Sequence, residues 1–213
     1  MTDPLRLARS PAAGTLAFFV LACAFTWTCD LPWLLAALRG VEPAAYAIPL
    51  GGLGAFGPLL AALVVARTFG RGVRVFGPWR GAKPALVLLA LLTPLLLHLV
   101  ATLIERALGG HPARWFYFPD SPARLLALVF FSLGEEPGWR GFAQPRLLQR
   151  HGTLVTALLI GSVWTLWHVP MFLIAGPLTL ASISATWLEL TLYSILFIGF
   201  AARTNGSLLI AMA

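Results

Sequence analysis

Long apolar runs separated by short polar segments dominate the chain. Since about 20 apolar residues cross the hydrocarbon core as a helix, the runs predict six full spans and the start of a seventh at Gly206. The six spans are 14–38, 45–67, 84–107, 122–148, 153–175 and 182–202. Turn-forming segments such as "RHG" lie between them. The pattern predicts an all-α fold, a polytopic transmembrane helical bundle that forms a single membrane domain over residues 1–213.

The composition excludes an ordinary soluble domain, because 59% of the residues are hydrophobic and 11% are charged, against about 25% charged in soluble domains. The net charge is +7, but its placement points to a lipid bilayer and not to nucleic acid. With a cytoplasmic N-terminus, eleven of the fifteen basic residues lie inside and four lie outside. The inside set is Arg6, Arg9, Arg67, Arg71, Arg74, Arg80, Lys83, Arg140, Arg146, Arg150 and Arg203, and the outside set is Arg39, Arg106, Arg114 and Arg124.

This bias follows the positive-inside rule and predicts a cytoplasmic N-terminus. We expect a multi-pass protein of the cell's inner (plasma) membrane. The preference for arginine over lysine, together with abundant Ala, Leu, Gly and Pro, suggests a GC-rich bacterial genome.

Few polar residues lie at membrane depth, and each is a functional candidate. They are Asp30, His98, Glu135, Glu136, His168 and Glu189. We interpret Asp30 as a cap for the helix segment that Pro32 opens, and His98 as structural. Glu189 fits either a helix–helix hydrogen bond or a minor role in a substrate site. Cys23 and Cys29 have no ligand spacing and are interpreted as small core residues.

The fourth and fifth spans predict an antiparallel hairpin with its turn at Arg150 to Thr153. Glu135 lies seventeen residues before Gly152, and His168 lies sixteen after it, so both are about 24 Å along their helices from the turn. Trp164 lies four residues before His168 and places a ring on the same helix face. The level placement favours a shared site, although a lone histidine here also fits a satisfied core residue.

Glu136 and Arg140 are four residues apart and can pair on one helix face. The pair would neutralise one carboxylate and leave Glu135, about 100° around the helix, free for chemistry. Pro137–Gly138 would loosen the helix just beyond. The alternative is a cluster of charges that reaches the membrane interface without a catalytic role.

Two of these segments resemble the motifs of a family. "EEPGWRGFAQPRL" (135–147) resembles the EExxxR motif of the CPBP family, the CAAX-prenyl endopeptidases and bacteriocin-processing or immunity proteins. "WTLWHVPMF" (164–172) resembles its FxxxH motif, with Trp164 in place of Phe. The resemblance covers residues 120–213. The run "RTNGSLLIAMA" resembles the approach to a third motif, a histidine followed four residues later by Asn or Asp. We therefore expect a C-terminally truncated chain that lacks this motif, and whether the 213 residues are active by themselves stays open.

The resemblance implies an intramembrane endopeptidase that hydrolyses a peptide bond of a membrane-associated peptide or protein. Glu135 and His168 would be catalytic and activate a water molecule, with Glu136, Arg140 and Trp164 supporting them. The third-motif histidine and Asn would complete the oxyanion side. Glu135 and His168 would also be the ligands of Zn²⁺ in a metalloprotease, and metal-free base catalysis stays open.

Two other function classes remain. One is a non-catalytic membrane scaffold or immunity-type protein that keeps the motif as a polar core. The other is a small transporter with a proton or substrate path along the same residues; the absence of an inverted repeat in the sequence disfavours it.

Overall fold

The computed structural model describes residues 11–69, 83–107, 121–207 and 211. These residues are predominantly helical and contain no strand, which confirms the all-α prediction. The helices are α1 (Pro11–Leu38), α2 (Ala47–Gly54), α3 (Gly57–Thr68), α4 (Pro84–Ala107), α5 (Pro122–Gly138), a π-helical turn (Trp139–Ala143), α6 (Gln144–Leu148), α7 (Thr153–Trp167), α8 (Val169–Ala175) and α9 (Leu180–Arg203).

The six predicted spans coincide with helical segments, but three of them are broken. Within the described chain, Ala12–Leu38 and Ser182–Arg203 are long and apolar enough to cross a membrane. Two bent pairs, α2 with α3 at 49° and α7 with α8 at 45°, bring the number to four if each pair counts as one span. These helices indicate a membrane protein, while six full spans and the cytoplasmic N-terminus stay predictions. The seventh segment falls largely outside the described residues.

Prolines account for the two bends. Pro58 occupies the first turn of α3, and Pro170 occupies the first turn of α8. A proline has no N–H to donate to the preceding turn, and its ring clashes with the carbonyl group four residues earlier. Each bend therefore begins a new helix where the ring fits, and the second bend falls at His168.

Pro32 behaves differently, and our interpretation of Asp30 as a helix cap is wrong. The helix α1 continues through Pro32 as far as Leu38, so Asp30 lies inside it. Packing explains the continuity, since α1 contacts α2, α3, α6, α7 and α8 and is held along its length.

The core lies where α1 meets the π-helical turn. The Phe18 ring is 5.5 Å from the ring of Trp139 and 5.0 Å from that of Phe142. Trp139 in turn lies 6.2 Å from Trp167 of α7. Cys23 is buried beside these rings as a free thiol, and Cys29 is also buried and free, which confirms the prediction of small core residues. This aromatic core fixes α5 and α7 relative to α1.

Candidate active site

The two adjacent glutamates of α5 point to different partners. Glu136 is buried, and its Oε2 lies 3.2 Å from the Nε of Arg140. This is the predicted pair. Glu135 is half-buried, and its Oε2 accepts a hydrogen bond from the indole Nε1 of Trp164 at 3.0 Å. The helical rotation between consecutive residues therefore separates one paired carboxylate from one aimed at α7.

Arg140 sits in the π-helical turn, where we predicted a loosening after Pro137. The guanidinium carbon is 4.3 Å from the ring centroid of Trp164 and 4.3 Å from that of Phe197. Arg140 is 6% exposed, so its charge is balanced by Glu136 and by two ring faces. In a π-helical turn, each backbone hydrogen bond spans one residue more than in an α-helix. Such turns recur at functional sites.

Two glycines bring the glutamates close to the rest of the bundle. A Cβ added to Gly134 would lie 2.5 Å from the carbonyl oxygen of Ala55, and one added to Gly138 would lie 2.5 Å from Pro58. The α5 backbone thus packs directly on the junction of α2 and α3. We did not predict this contact, although small residues four apart, as in "GEEPG", are a signal for close helix packing.

Trp164 connects Glu135 to His168. Its indole donates to Glu135, and its backbone carbonyl lies 2.9 Å from the Nδ1 of His168. Because a carbonyl can only accept, Nδ1 carries the hydrogen, and the neutral ring has its lone pair on Nε2. The predicted ring contact is present, with centroids 6.1 Å apart. The donor role of the indole was not predicted, although a tryptophan where the family motif has phenylalanine was a usable signal.

His168 lies at the junction of α7 and α8, between aromatic neighbours. Its ring is 4.7 Å from Trp167 in an edge-on contact and 6.0 Å from Phe172 in a stacked one. The backbone N–H of His168 still bonds to the last turn of α7, at 3.2 Å from the carbonyl oxygen of Trp164. The backbone hydrogen bond, the Nδ1 contact and the two aromatic rings therefore fix the orientation of the imidazole. Its Nε2 atom can still bind a water molecule or a substrate.

Glu135 and His168 line the same cavity, which has a volume of about 440 Å³. Asp30 of α1 lines it too. A buried chain of hydrogen bonds closes one side, with the Trp167 indole donating to Thr26 at 2.7 Å and Thr26 donating to the carbonyl of Gly54 at 2.6 Å. The cavity thus lies where helices of the N-terminal half meet the hairpin.

Of the other membrane-depth candidates, Glu189 lies away from the cavity. Glu189 is exposed on α9 and is not part of the cavity lining. The side chain of His98, in α4, lies outside the described residues. Glu189 therefore does not contribute to the geometry of the candidate site.

A metal ion needs at least three protein ligands in a catalytic zinc site. Among the described residues, no group of three or more His, Cys, Asp or Glu side chains lies close enough to hold an ion. Glu135 and His168 offer two ligands of the right type, but this part of the chain does not by itself form a zinc site.

Comparison with known proteins bears on the region that carries these residues. Residues 118–213 match the family described as type II CAAX prenyl endopeptidase Rce1-like. The matched segment is just under half of the chain, and it is similar to this family. The chain is also 35% identical over 66 residues to "CAAX prenyl protease 2" of Methanococcus maripaludis, a segment that covers 31% of this chain and 23% of that relative. The match includes little of the relative's length, whereas the candidate cavity also uses α1 and α2, which precede the matched region.

Proposed function

We propose that the protein is an intramembrane endopeptidase that hydrolyses a peptide bond in a membrane-associated peptide or protein. One observation carries the proposal. Glu135 and His168, from two different helices, line one cavity and are both hydrogen-bonded to Trp164. The family match over residues 118–213 supports the reaction class.

Glu135 is the general base in this proposal. The Trp164 indole holds Oε2, so we assign Oε1 to the attacking water. As the water oxygen bonds to the substrate carbonyl carbon, one proton passes to Glu135 and the carbonyl electron pair moves to oxygen. The tetrahedral oxyanion then collapses, the C–N bond breaks, and the proton held by Glu135 passes to the leaving amine.

His168 orients the same water. Its Nδ1–H is bound to the Trp164 carbonyl, so Nε2 accepts the second hydrogen of the water. The mostly apolar cavity keeps competing water away and strengthens these interactions. Glu136 and Arg140 support the site by fixing the helix that carries Glu135.

Catalysis with zinc and catalysis without a metal are both compatible with the proposal. Loss of cleavage in the presence of a chelator would distinguish them. A metal bound with Glu135 and His168 would polarise the substrate carbonyl and lower the pKa of bound water. Its remaining ligands would come from outside the described residues.

The proposed topology is six spans with a cytoplasmic N-terminus, in the inner membrane of a bacterium. The turn between α6 and α7, at 149–152, would then face the cytoplasm. A single cysteine introduced at His151, in a background with Cys23 and Cys29 replaced by Ala, should react with a membrane-impermeant maleimide only after the cells are opened. Labelling of intact cells would contradict this orientation.

The test of activity uses the full-length protein in detergent and a quenched library of prenylated and unprenylated peptides. Glu135→Gln keeps an oxygen that accepts from Trp164 but removes the base, and should lower cleavage by about 10²- to 10⁴-fold. Glu189→Gln is the matched control, since that carboxylate lies outside the cavity, and it should cleave normally. Each protein is assayed with and without chelator.

The same experiment separates the rival functions. A scaffold would show no cleavage and would keep its cellular function in the Glu135→Gln variant. A transporter would move protons or substrate across liposomes and would cut nothing. Either result would overturn the proposal.

A further inference from the structure

A second carboxyl group of the cavity has no partner. Asp30 is 1% exposed, and its Oδ2 has no hydrogen bond. It comes from α1, outside the region matched by the family. An unpaired carboxylate in apolar surroundings costs several kcal/mol, so Asp30 carries its charge at low cost only when a ligand compensates it.

The surroundings of Asp30 supply no compensating charge. A Cβ on Gly51 would lie 3.0 Å from Oδ1, and one on Gly54 would lie 3.5 Å from it. The carboxylate therefore rests against α2 where that helix has no side chains. No lysine or arginine lines the cavity in the described part of the chain, and its other ionisable groups are Glu135 and His168.

The volume and the lining of the cavity indicate which kind of ligand it can bind. A cavity of about 440 Å³ falls within the usual range for ligand sites, roughly 300–1,000 Å³. Most of its wall is apolar, and it holds two carboxyl groups, one of them assigned to the water. A hydrogen bond between a carboxylate and a cation is about twice as strong as a neutral one, so a basic group compensates Asp30 better than a neutral donor.

We infer that Asp30 is a substrate-binding residue that accepts the ammonium or guanidinium group of a basic side chain, within an otherwise apolar peptide segment. The inference rests on the proposed function, because the bound peptide is a substrate only if the protein is an endopeptidase. Asp30 would hold the basic side chain while Glu135 and His168 face the scissile bond. The protein would then prefer peptides that carry Lys or Arg near the cleaved bond.

The test is a binding measurement, which needs no cleavage. Fluorescent apolar octapeptides, each with one Lys moved along the sequence, are compared with the same peptides carrying norleucine at that position. At the best position, Lys should bind the full-length protein at least about tenfold more tightly than norleucine, as expected for one charge-assisted hydrogen bond. Asp30→Asn, which has nearly the same shape, should abolish the difference.

Two neighbouring glycines give a second pair of variants. Gly51→Ala places a methyl group 3.0 Å from Oδ1 of Asp30, whereas Gly52→Ala meets only the ring of Phe131, at 4.0 Å. The first should reduce the preference for Lys and the second should keep it. These two variants test whether the preference for Lys depends on the carboxylate of Asp30, even if Asp30→Asn fails to fold.

The outcomes separate the two proposals. A preference for Lys that depends on Asp30, in a protein that cuts nothing, would support the Asp30 site and overturn the endopeptidase. Cleavage without any preference for Lys over norleucine would support the endopeptidase and overturn the Asp30 site. An equal preference in wild type and Asp30→Asn would also overturn it, because the preference would then not depend on the negative charge of Asp30.

Discussion

Gly138→Ala should destabilise the protein, because the helix backbone at this point touches another backbone. The added Cβ would lie 2.5 Å from the carbonyl carbon, the carbonyl oxygen and the Cβ of Pro58. Carbon atoms normally pack at about 3.5–4.0 Å, so α5 and α3 would have to separate by about 1 Å. Overpacking of this kind costs about 1–3 kcal/mol, and we expect the upper end because a proline and its backbone cannot rotate away.

A gain in helix propensity opposes this cost. Alanine is better than glycine inside a helix by about 1 kcal/mol, so the expected net loss is about 2 kcal/mol. Gly199→Ala, in α9, is the matched control. Its Cβ would meet only the guanidinium group of Arg203, at an ordinary contact distance of 3.5 Å, so the stability of this variant should stay equal or rise slightly.

The assay is reversible unfolding of the full-length protein in mixed SDS and dodecylmaltoside micelles. Tryptophan fluorescence reports the transition, since the chain has eight tryptophans. The free energies of unfolding of the two alanine variants are compared with that of wild type. Equal stability of Gly138→Ala and Gly199→Ala would refute the direct backbone contact between α5 and α3.

Three further substitutions test the contacts of the candidate site. Trp164→Phe removes the donor to Glu135, and steady-state kinetics should show kcat lowered about tenfold with KM little changed; an unchanged kcat would count against a positioning role. In His168→Asn, the amide N–H takes the position of the histidine Nδ1–H, but no atom replaces Nε2. The variant should therefore fold and lose cleavage. Full activity would contradict the role assigned to Nε2. Arg140→Lys keeps the charge but loses the planar group between two rings, and the micelle assay should show a loss of about 1–2 kcal/mol; unchanged stability would mean that the stacking contributes little.

The Trp164 contact also suggests why this chain departs from the phenylalanine of the FxxxH motif. Phenylalanine could supply the ring beside Arg140, but it has no N–H to offer Glu135. Here the indole serves both residues, with its face on Arg140 and its N–H on Glu135. Trp164→Phe therefore separates the two contributions, since only the hydrogen bond is lost.

The sequence determined the features that depend on short stretches of chain. Apolar runs placed the helices to within a few residues, because burial in lipid or protein acts on each run separately. The pitch of a helix set the Glu136–Arg140 pair and the Trp164–His168 contact. The short turn before Thr153 predicted that Glu135 and His168 lie level with each other, and both residues line one cavity in the structure.

Only the tertiary structure decided the rest, since the contacts join residues far apart in the chain. Thr26 and Trp167 are hydrogen-bonded across 141 residues, and no local pattern encodes that pairing. Asp30 lines the cavity because α1 continues through Pro32. Proline by itself prefers the first turn of a helix, so this continuity depends on the packing of α1 against its neighbours. Gly134 and Gly138 let α5 approach Ala55 and Pro58, which is a matter of which surfaces meet.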